Sequence, residues 1–214
     1  MAVNPTHTRV RKAAVRLFAT KGYHGVGIRE LAEAAKLSSA SLYHYMGTKE
    51  ELLADIMWDC LERLLSAAML ATTDVQDPQE KLGRLAALHV IAHAVQAKET
   101  AVVDNEIRSL SPKLRRRVIL QRDAYERLWA DALTEGHESG VFVADADGVT
   151  RRALLEMCSG VARWYSPRGS VPLLELGARY STLALRAVGA GENPPQPDLE
   201  RCRTIARYTW GTKV

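Results

Sequence analysis

Apolar residues recur three and four positions apart through nearly every segment of this chain, and strand-like alternation is absent. That periodicity restricts the fold to packed helices. The punctuation between the periodic segments agrees. A first helix is predicted from about Thr6 to Lys21, with Val10, Ala14, Leu17 and Phe18 on one face and Gly22 at its end. A short second helix places Ile28, Leu31, Ala32 and Ala35 on one face, and a short third covers about Ser39–Tyr45. Thr48-Lys49-Glu50-Glu51 has the form of a capping box opening a long fourth helix through Leu52, Ile56, Cys60 and Leu64.

Further along, Asp77-Pro78 combines an N-cap with a proline at the first helical position. Ser111-Pro112 opens a long helix predicted to end near Gly136–Gly140. Two more helices are expected at 148–165 and 172–188, split by the turn Ser166-Pro167-Arg168-Gly169-Ser170. A proline-rich linker after Gly189 leads to a last amphipathic segment, Asp198–Trp210. The fold class expected is all-α, with a head over residues 4–64, a larger helical body over 65–189 and a linker and tail over 190–214.

Charge separates head from body. The first 50 residues hold eight bases (Arg9, Arg11, Lys12, Arg16, Lys21, Arg29, Lys36, Lys49) and only Glu30, Glu33 and Glu50 as acids, although the 214-residue chain carries only +4. A basic head on a near-neutral body points to a polyanion partner. At 47% apolar and 25% charged, the composition excludes disordered, collagen-like and disulfide-scaffold chains. The polar, basic first 16 residues lack the apolar core of a secretion signal, and no run approaches membrane-spanning length. Three distant cysteines, Cys60, Cys158 and Cys202, suit a reducing compartment and read as small buried hydrophobes. A cytoplasmic chain without membrane contact is expected.

Two short helices joined by the turn Lys36-Leu37-Ser38, behind a basic helix, have the pattern of a helix-turn-helix. In that motif the second short helix enters the major groove of duplex DNA N-terminus first. Here it would present Ser38, Ser39, Ala40 and Ser41, whose small size allows close approach and whose hydroxyls can meet base edges. Tyr43, His44 and Tyr45 can reach phosphates or bases, and Arg29, Thr48 and Lys49 sit at helix starts suited to phosphate. A solvated basic surface would carry the same charge; the helix spacing favours the DNA reader.

These residues resemble the DNA-binding head of TetR-type transcriptional regulators. The resemblance rests on Gly27-Ile28-Arg29-Glu30-Leu31-Ala32, Leu37-Ser38-Ser39-Ala40-Ser41-Leu42-Tyr43-His44-Tyr45-Met46 and Thr48-Lys49-Glu50-Glu51-Leu52, within about Thr8–Leu64. It implies a homodimer that binds a near-palindromic operator, usually as a repressor, and lets go when a small effector enters the body. Three residues depart from the family's usual pattern. Gly27 stands where threonine often caps and touches phosphate, Lys36 where glycine often turns the chain, and Met46 where phenylalanine is common. A left-handed Lys36 would carry roughly 1 kcal/mol of strain.

The resemblance also implies that the last long helices pair between subunits. Leu173, Leu176, Gly177, Tyr180, Leu183 and Ala184, with Leu154 and Val161, supply candidate faces, although the same stripes also serve as intramolecular core. For the effector, Tyr125, Trp129, Met157 and Trp164 are candidate lining residues that equally suit core packing. Arg163-Trp164-Tyr165-Ser166-Pro167-Arg168-Gly169 resembles a segment of TetR-type regulators of steroid and fatty-acyl catabolism. That implies a large apolar pocket with cations for a coenzyme A thioester, Arg163 foremost; Arg115, Arg116 and Arg117 read first as a solvated face.

His89 and His93, four apart, can hold a metal, but spacing provides no third ligand beyond the candidates Asp104, Glu106 and His137; core or pocket-lining histidines are the plainer reading. No metal or other cofactor is therefore expected. A metal- or redox-responsive regulator on the same fold stays open. An enzyme of acyl or steroid substrates would need a nucleophile elbow, phosphate loop or dinucleotide fingerprint, and the sequence holds none.

Overall fold

The computed structural model describes residues 4–144 and 147–211. Among the described residues every regular element is helical: α1 Pro5–Lys21, α2 Ile28–Ala34, α3 Ser39–Met46, α4 Lys49–Thr72, α5 Pro78–Val95, α6 Ala97–Glu106, α7 Pro112–Glu138, α8 Gly148–Ser159, α9 Val161–Trp164, α10 Leu173–Ala187 and α11 Leu199–Trp210, with a 3-10 turn at Ile107–Ser109. The fold is all-α, a helix-turn-helix head followed by a larger helical body. None of these helices is long and apolar enough to cross a membrane.

The helices form two compact units, each assembled from separated stretches of chain. The first holds residues up to Glu62 together with Lys98–Gln121; the second holds Arg63–Ala97 and everything from Arg122 onward. A linear division at residue 64 assigns α6 and the start of α7 to the body, but Val102, Val103, Leu110 and Val118 pack in the same core as Val10, Phe18, Leu53 and Ile56. Within this unit Arg11 on α1 donates to Asp59 of α4 at 2.9 Å and lies 3.6 Å from Glu99 of α6. Arg117 on α7 stacks over Trp58, 4.5 Å from its ring centroid, and sits 3.5 Å from Asp55. The basic run of α7 is thus partly committed to fixing α4.

The second unit is built around α5, which is buried on nearly every side from Leu82 to His93. A helix apolar all round must be enclosed, and α8, α9, α10 and α11 pack against it. Asp77 caps its start by accepting from the Gln79 amide at 3.0 Å. The segment 148–165 is divided rather than continuous. Gly160, a poor helix interior residue, shifts the chain to a tighter turn in which the Arg163 amide donates to the Gly160 carbonyl at 3.1 Å. Helix α7 ends at Glu138, within the expected span Gly136–Gly140. Gly136 lies inside its last turn, where a Cβ would sit 2.0 Å from Phe142 Cδ2.

The tail packs on its own body. Cys202, Ile205 and Ala206 of α11 are buried in the core of the second unit. The Asp198 amide donates to Glu80 Oε1 at 2.8 Å and the Arg201 guanidinium to the Leu70 carbonyl at 3.2 Å.

Candidate functional site

The turn of the head follows from the way α2 stops. The Leu37 amide donates to the Ala32 carbonyl and the Lys36 amide to the Glu33 carbonyl, both at 2.9 Å. This double closure is the Schellman motif, which needs a left-handed residue at its corner. Lys36 takes that place at φ 55°, so it carries the predicted strain. Its side chain is exposed. Ser38 then caps α3, its hydroxyl oxygen accepting from the Ser41 amide at 3.1 Å while its O–H donates to Ser41 Oγ at 2.9 Å.

Leu42 and Met46 anchor α3 in the core, so Met46 fills a core position. The opposite face presents Ala40, Ser41, Tyr43 and His44 to solvent, with Tyr43 half exposed at 50%. Ser39 and Tyr45 are half-buried, and Tyr45 packs against the head core. At the next helix the capping box forms in full: the Thr48 amide donates to Glu51 Oε2 at 2.8 Å and the Glu51 amide to Thr48 Oγ1 at 3.0 Å. Thr48 stays exposed at the surface.

Lys49 was expected to hold a phosphate, but its ammonium is turned inward. It donates to the carbonyls of Tyr23 and Val26 at 2.8 and 2.7 Å and lies 4.2 Å from the Tyr23 ring centroid. In the loop between α1 and α2 the Tyr23 carbonyl also accepts from the Val26 amide at 3.3 Å, and the lysine adds a bond to each carbonyl. Burial lowers its pKa. Other head cations are also committed. Arg9 donates to the Ala35 carbonyl at 2.7 Å, Arg11 pairs with Asp59, and Lys21 pairs with Glu30.

Four bases of the first 50 residues keep exposed side chains without an ion-pair or hydrogen-bond partner among the described residues: Lys12, Arg16, Arg29 and Lys36. Lys12 and Arg16 also line a cleft with Arg9 and Ala34. In the sequence both count toward the basic charge of the head, but neither is singled out as a contact residue. Gly27 opens α2 without a side-chain cap, and nothing lies within 4 Å of where its Cβ would be.

In the second unit the predicted effector residues separate into a buried set and an exposed set. His89, His93, Tyr125 and Trp129 are buried. His89 Nδ1 meets the Tyr125 hydroxyl at 2.7 Å and its Nε2 meets Ser159 Oγ at 2.9 Å. Its ring stacks on His93 with centroids 3.9 Å apart and meets Trp129 edge-on at 5.7 Å. Desolvation pushes the His89 pKa well below its ordinary value, with the neighbouring His93 adding to the shift, and desolvation brings His93 down to about 4. Both rings are neutral at physiological pH. Ser159, which sequence reasoning missed, joins the set as the last residue of α8, from which its hydroxyl reaches His89. Arg163 and Trp164 are exposed, Trp164 at 55%, and Met157 is half-buried.

The expected dimer face is redistributed. Leu154, Val161, Leu176, Gly177 and Ala184 are buried in their own chain's core. Gly177 is small because α10 runs close to α5: a Cβ would lie 3.4 Å from the Ala87 carbonyl oxygen. An amphipathic stripe shows that a helix needs a partner but not which one, and α5 is that partner. Leu173 and Tyr180 are half-buried, and Leu183 is exposed at 47%.

Residues 10–56 match the tetR family of bacterial regulatory proteins, and residues 75–188 match the tetracyclin repressor-like C-terminal domain. The chain belongs to the TetR family. As such it is a DNA-binding transcriptional regulator. This TetR-family chain is 26% identical over 190 residues to the HTH-type transcriptional repressor KstR2 of Mycobacterium tuberculosis, covering 87% of this chain and 94% of that one. Among solved structures it is similar to the TetR-family regulator PfmR of Thermus thermophilus, at 35% identity and a TM-score of 0.74, over 83% and 97% of the two chains. A tetR-family protein from Rhodococcus RHA1 superposes with a TM-score of 0.80 at 29% identity, over 89% and 100%.

Proposed function

We propose that two copies of this TetR-family regulator repress transcription from a near-palindromic operator, and that a small apolar or acyl-coenzyme A-like effector releases them. The observation that carries the DNA half is the outward face of α3, where Ala40, Ser41, Tyr43 and His44 are exposed on a helix anchored by Leu42 and Met46. Tyr43 and His44 reach bases or phosphates, and Lys12, Arg16, Arg29 and Lys36 supply the charge. Exposed Leu183, with Tyr180 and Leu173 beside it on α10, offers the apolar surface for the second copy. Two-fold pairing then makes the operator two-fold as well.

On the effector side, exposed Arg163 and Trp164 stand on α9, next to the half-buried Tyr165. This suits a ligand that keeps a charged end in water and places an apolar end in the body. A thiol redox trigger is disfavoured, because Cys60, Cys158 and Cys202 are all buried, and burial pushes the Cys158 and Cys202 thiols up to about 12 while reactivity needs the thiolate. Metal sensing is disfavoured too. Both ring nitrogens of His89 are engaged by hydroxyls, and no three metal-ligating side chains converge among the described residues.

The direct test is a gel-shift titration against DNA flanking the protein's own gene, with native mass spectrometry of the purified chain. The reading expects a dimer that forms a discrete complex and loses it when an acyl-coenzyme A is added. Failure to form any complex at low salt would overturn it.

A further inference from the structure

Residues 107–122 hold six bases, Arg108, Lys113, Arg115, Arg116, Arg117 and Arg122, and no acid. All but Arg122 belong to the first compact unit, the one that carries α3, although the family match to the DNA-binding head ends at residue 56. Two contacts fix where the start of α7 sits in that unit. The Ser111 amide donates to Glu50 Oε1 at 2.6 Å, which places it beside the capping box that opens α4. Arg117 is held by Trp58 and Asp55 further along the same helix. Leu114 and Val118 pack in the core of the unit, so Lys113, Arg116 and Leu120 emerge on the opposite side of α7, where all three are exposed. Arg108 is exposed on the preceding turn, and Arg115 is half-buried. None of Arg108, Lys113, Arg115 and Arg116 has an ion-pair or hydrogen-bond partner among the described residues. The arrangement is locally unfavourable. The first turn of α7 has no acid, cations there oppose the helix dipole, and like charges three and four apart repel.

We propose that Lys113 and Arg116, with Arg108, form a second phosphate-binding patch of the first unit, which grips the duplex backbone beside the groove that α3 enters. This rests on the operator reading above and extends its footprint to a stretch of chain outside the helix-turn-helix. A polyanion relieves the repulsion that the bases impose on one another. Phosphate contacts position a protein without reading sequence, so the patch adds affinity for any duplex and no discrimination. Coenzyme A phosphates carry the same chemistry, but these bases share a unit with α3, whereas Arg163 and Trp164 belong to the other.

The test uses the full-length chain and two duplexes of equal length, one from the protein's own upstream region and one with that sequence scrambled. Fluorescence anisotropy reads affinity for both across a salt series, and operator release by decanoyl-coenzyme A is measured separately. Lys113→Gln with Arg116→Gln is expected to weaken both duplexes by the same factor, roughly fivefold or more, so that the ratio between them holds. Losing two phosphate contacts in each of two subunits should also make the log–log salt slope shallower by roughly 3–4. Lys113→Arg with Arg116→Lys keeps the charge and should bind as the parent does. Arg127→Gln with Arg152→Gln removes the same charge from exposed sites in the second unit and should leave both affinities as they were. Melting curves confirm folding; should the neutral double variant fail to fold, Arg116→Gln alone takes its place, with half the change in slope. Parent-like binding by the folded neutral variant would overturn the inference and leave the operator reading standing, as would an equal loss in the Arg127 and Arg152 control. Unchanged DNA binding with altered release by decanoyl-coenzyme A would also overturn it, assigning the patch to the effector's phosphates. If the parent binds neither duplex, both readings fall.

Discussion

The Lys49 ammonium donates to the Val26 carbonyl oxygen at 2.7 Å, tying the first turn of α4 to the loop that precedes α2. With its second bond, to the Tyr23 carbonyl, Lys49 braces the base of the helix-turn-helix. Its contribution to DNA binding runs through the placement of α2 and α3. Lys49→Ala should therefore destabilise the protein by about 2 kcal/mol, as expected for lost hydrogen bonds from a charged group. A urea denaturation curve checks this. An unchanged midpoint would return Lys49 to the role of a surface phosphate contact.

Lys36 combines a structural cost with an electrostatic use. Lys36→Gly relieves the left-handed strain at φ 55° and should raise stability by about 1 kcal/mol. The same change removes one of the four unpartnered bases among the described residues of the head, so operator affinity should fall while the melting temperature rises. Opposite signs in the two measurements are the expected signature. A parallel change in both would mean that its charge does not meet DNA.

Gly27 starts α2 with no side-chain cap and open space around its Cβ position. Threonine fits there at φ −84°. As an N-cap it is comparable with glycine, so Gly27→Thr should leave stability within about 0.5 kcal/mol of the parent. The new hydroxyl stands where it can bond a phosphate, and operator binding should tighten. Weaker binding in gel-shift would show that the start of α2 does not face the duplex.

Much of this could be read from the sequence wherever the determinant is local. The capping box at Thr48, the cap at Asp77 and the left-handed Lys36 are set by neighbours within a few residues, and each forms as expected. Partners distant in sequence were not legible. The inward turn of Lys49 depends on carbonyls more than 20 residues away. Helix α10 shows a clear apolar stripe, but nothing in it states that Leu176, Gly177 and Ala184 face α5 of the same chain. Ser159 carries no signal at all, because its partner His89 is 70 residues away in the chain.

The buried histidines make stability depend on pH. Both have folded pKa values below the ordinary value of about 6.5. Their neutral burial therefore contributes fully above pH 6.5, and the contribution is lost as pH falls from there toward about 4, the value for His93. The limiting slope is about 1.4 kcal/mol per pH unit for each histidine. Melting temperatures taken from pH 7 to 4.5 should fall steadily in the parent and less steeply in His93→Phe. Equal slopes would show that His93 titrates normally.

The central claim is that the α3 face and the four unpartnered bases among the described residues of each head hold operator DNA. Fluorescence anisotropy on a duplex from the protein's own upstream region, across a series of salt concentrations, tests it most directly. If each of two subunits neutralises about four phosphates, the slope of log affinity against log salt is about −7. Tyr43→Ala should lower affinity for that duplex while leaving this slope and the melting temperature nearly unchanged. A salt-insensitive affinity, or full operator affinity in Tyr43→Ala, would contradict the account.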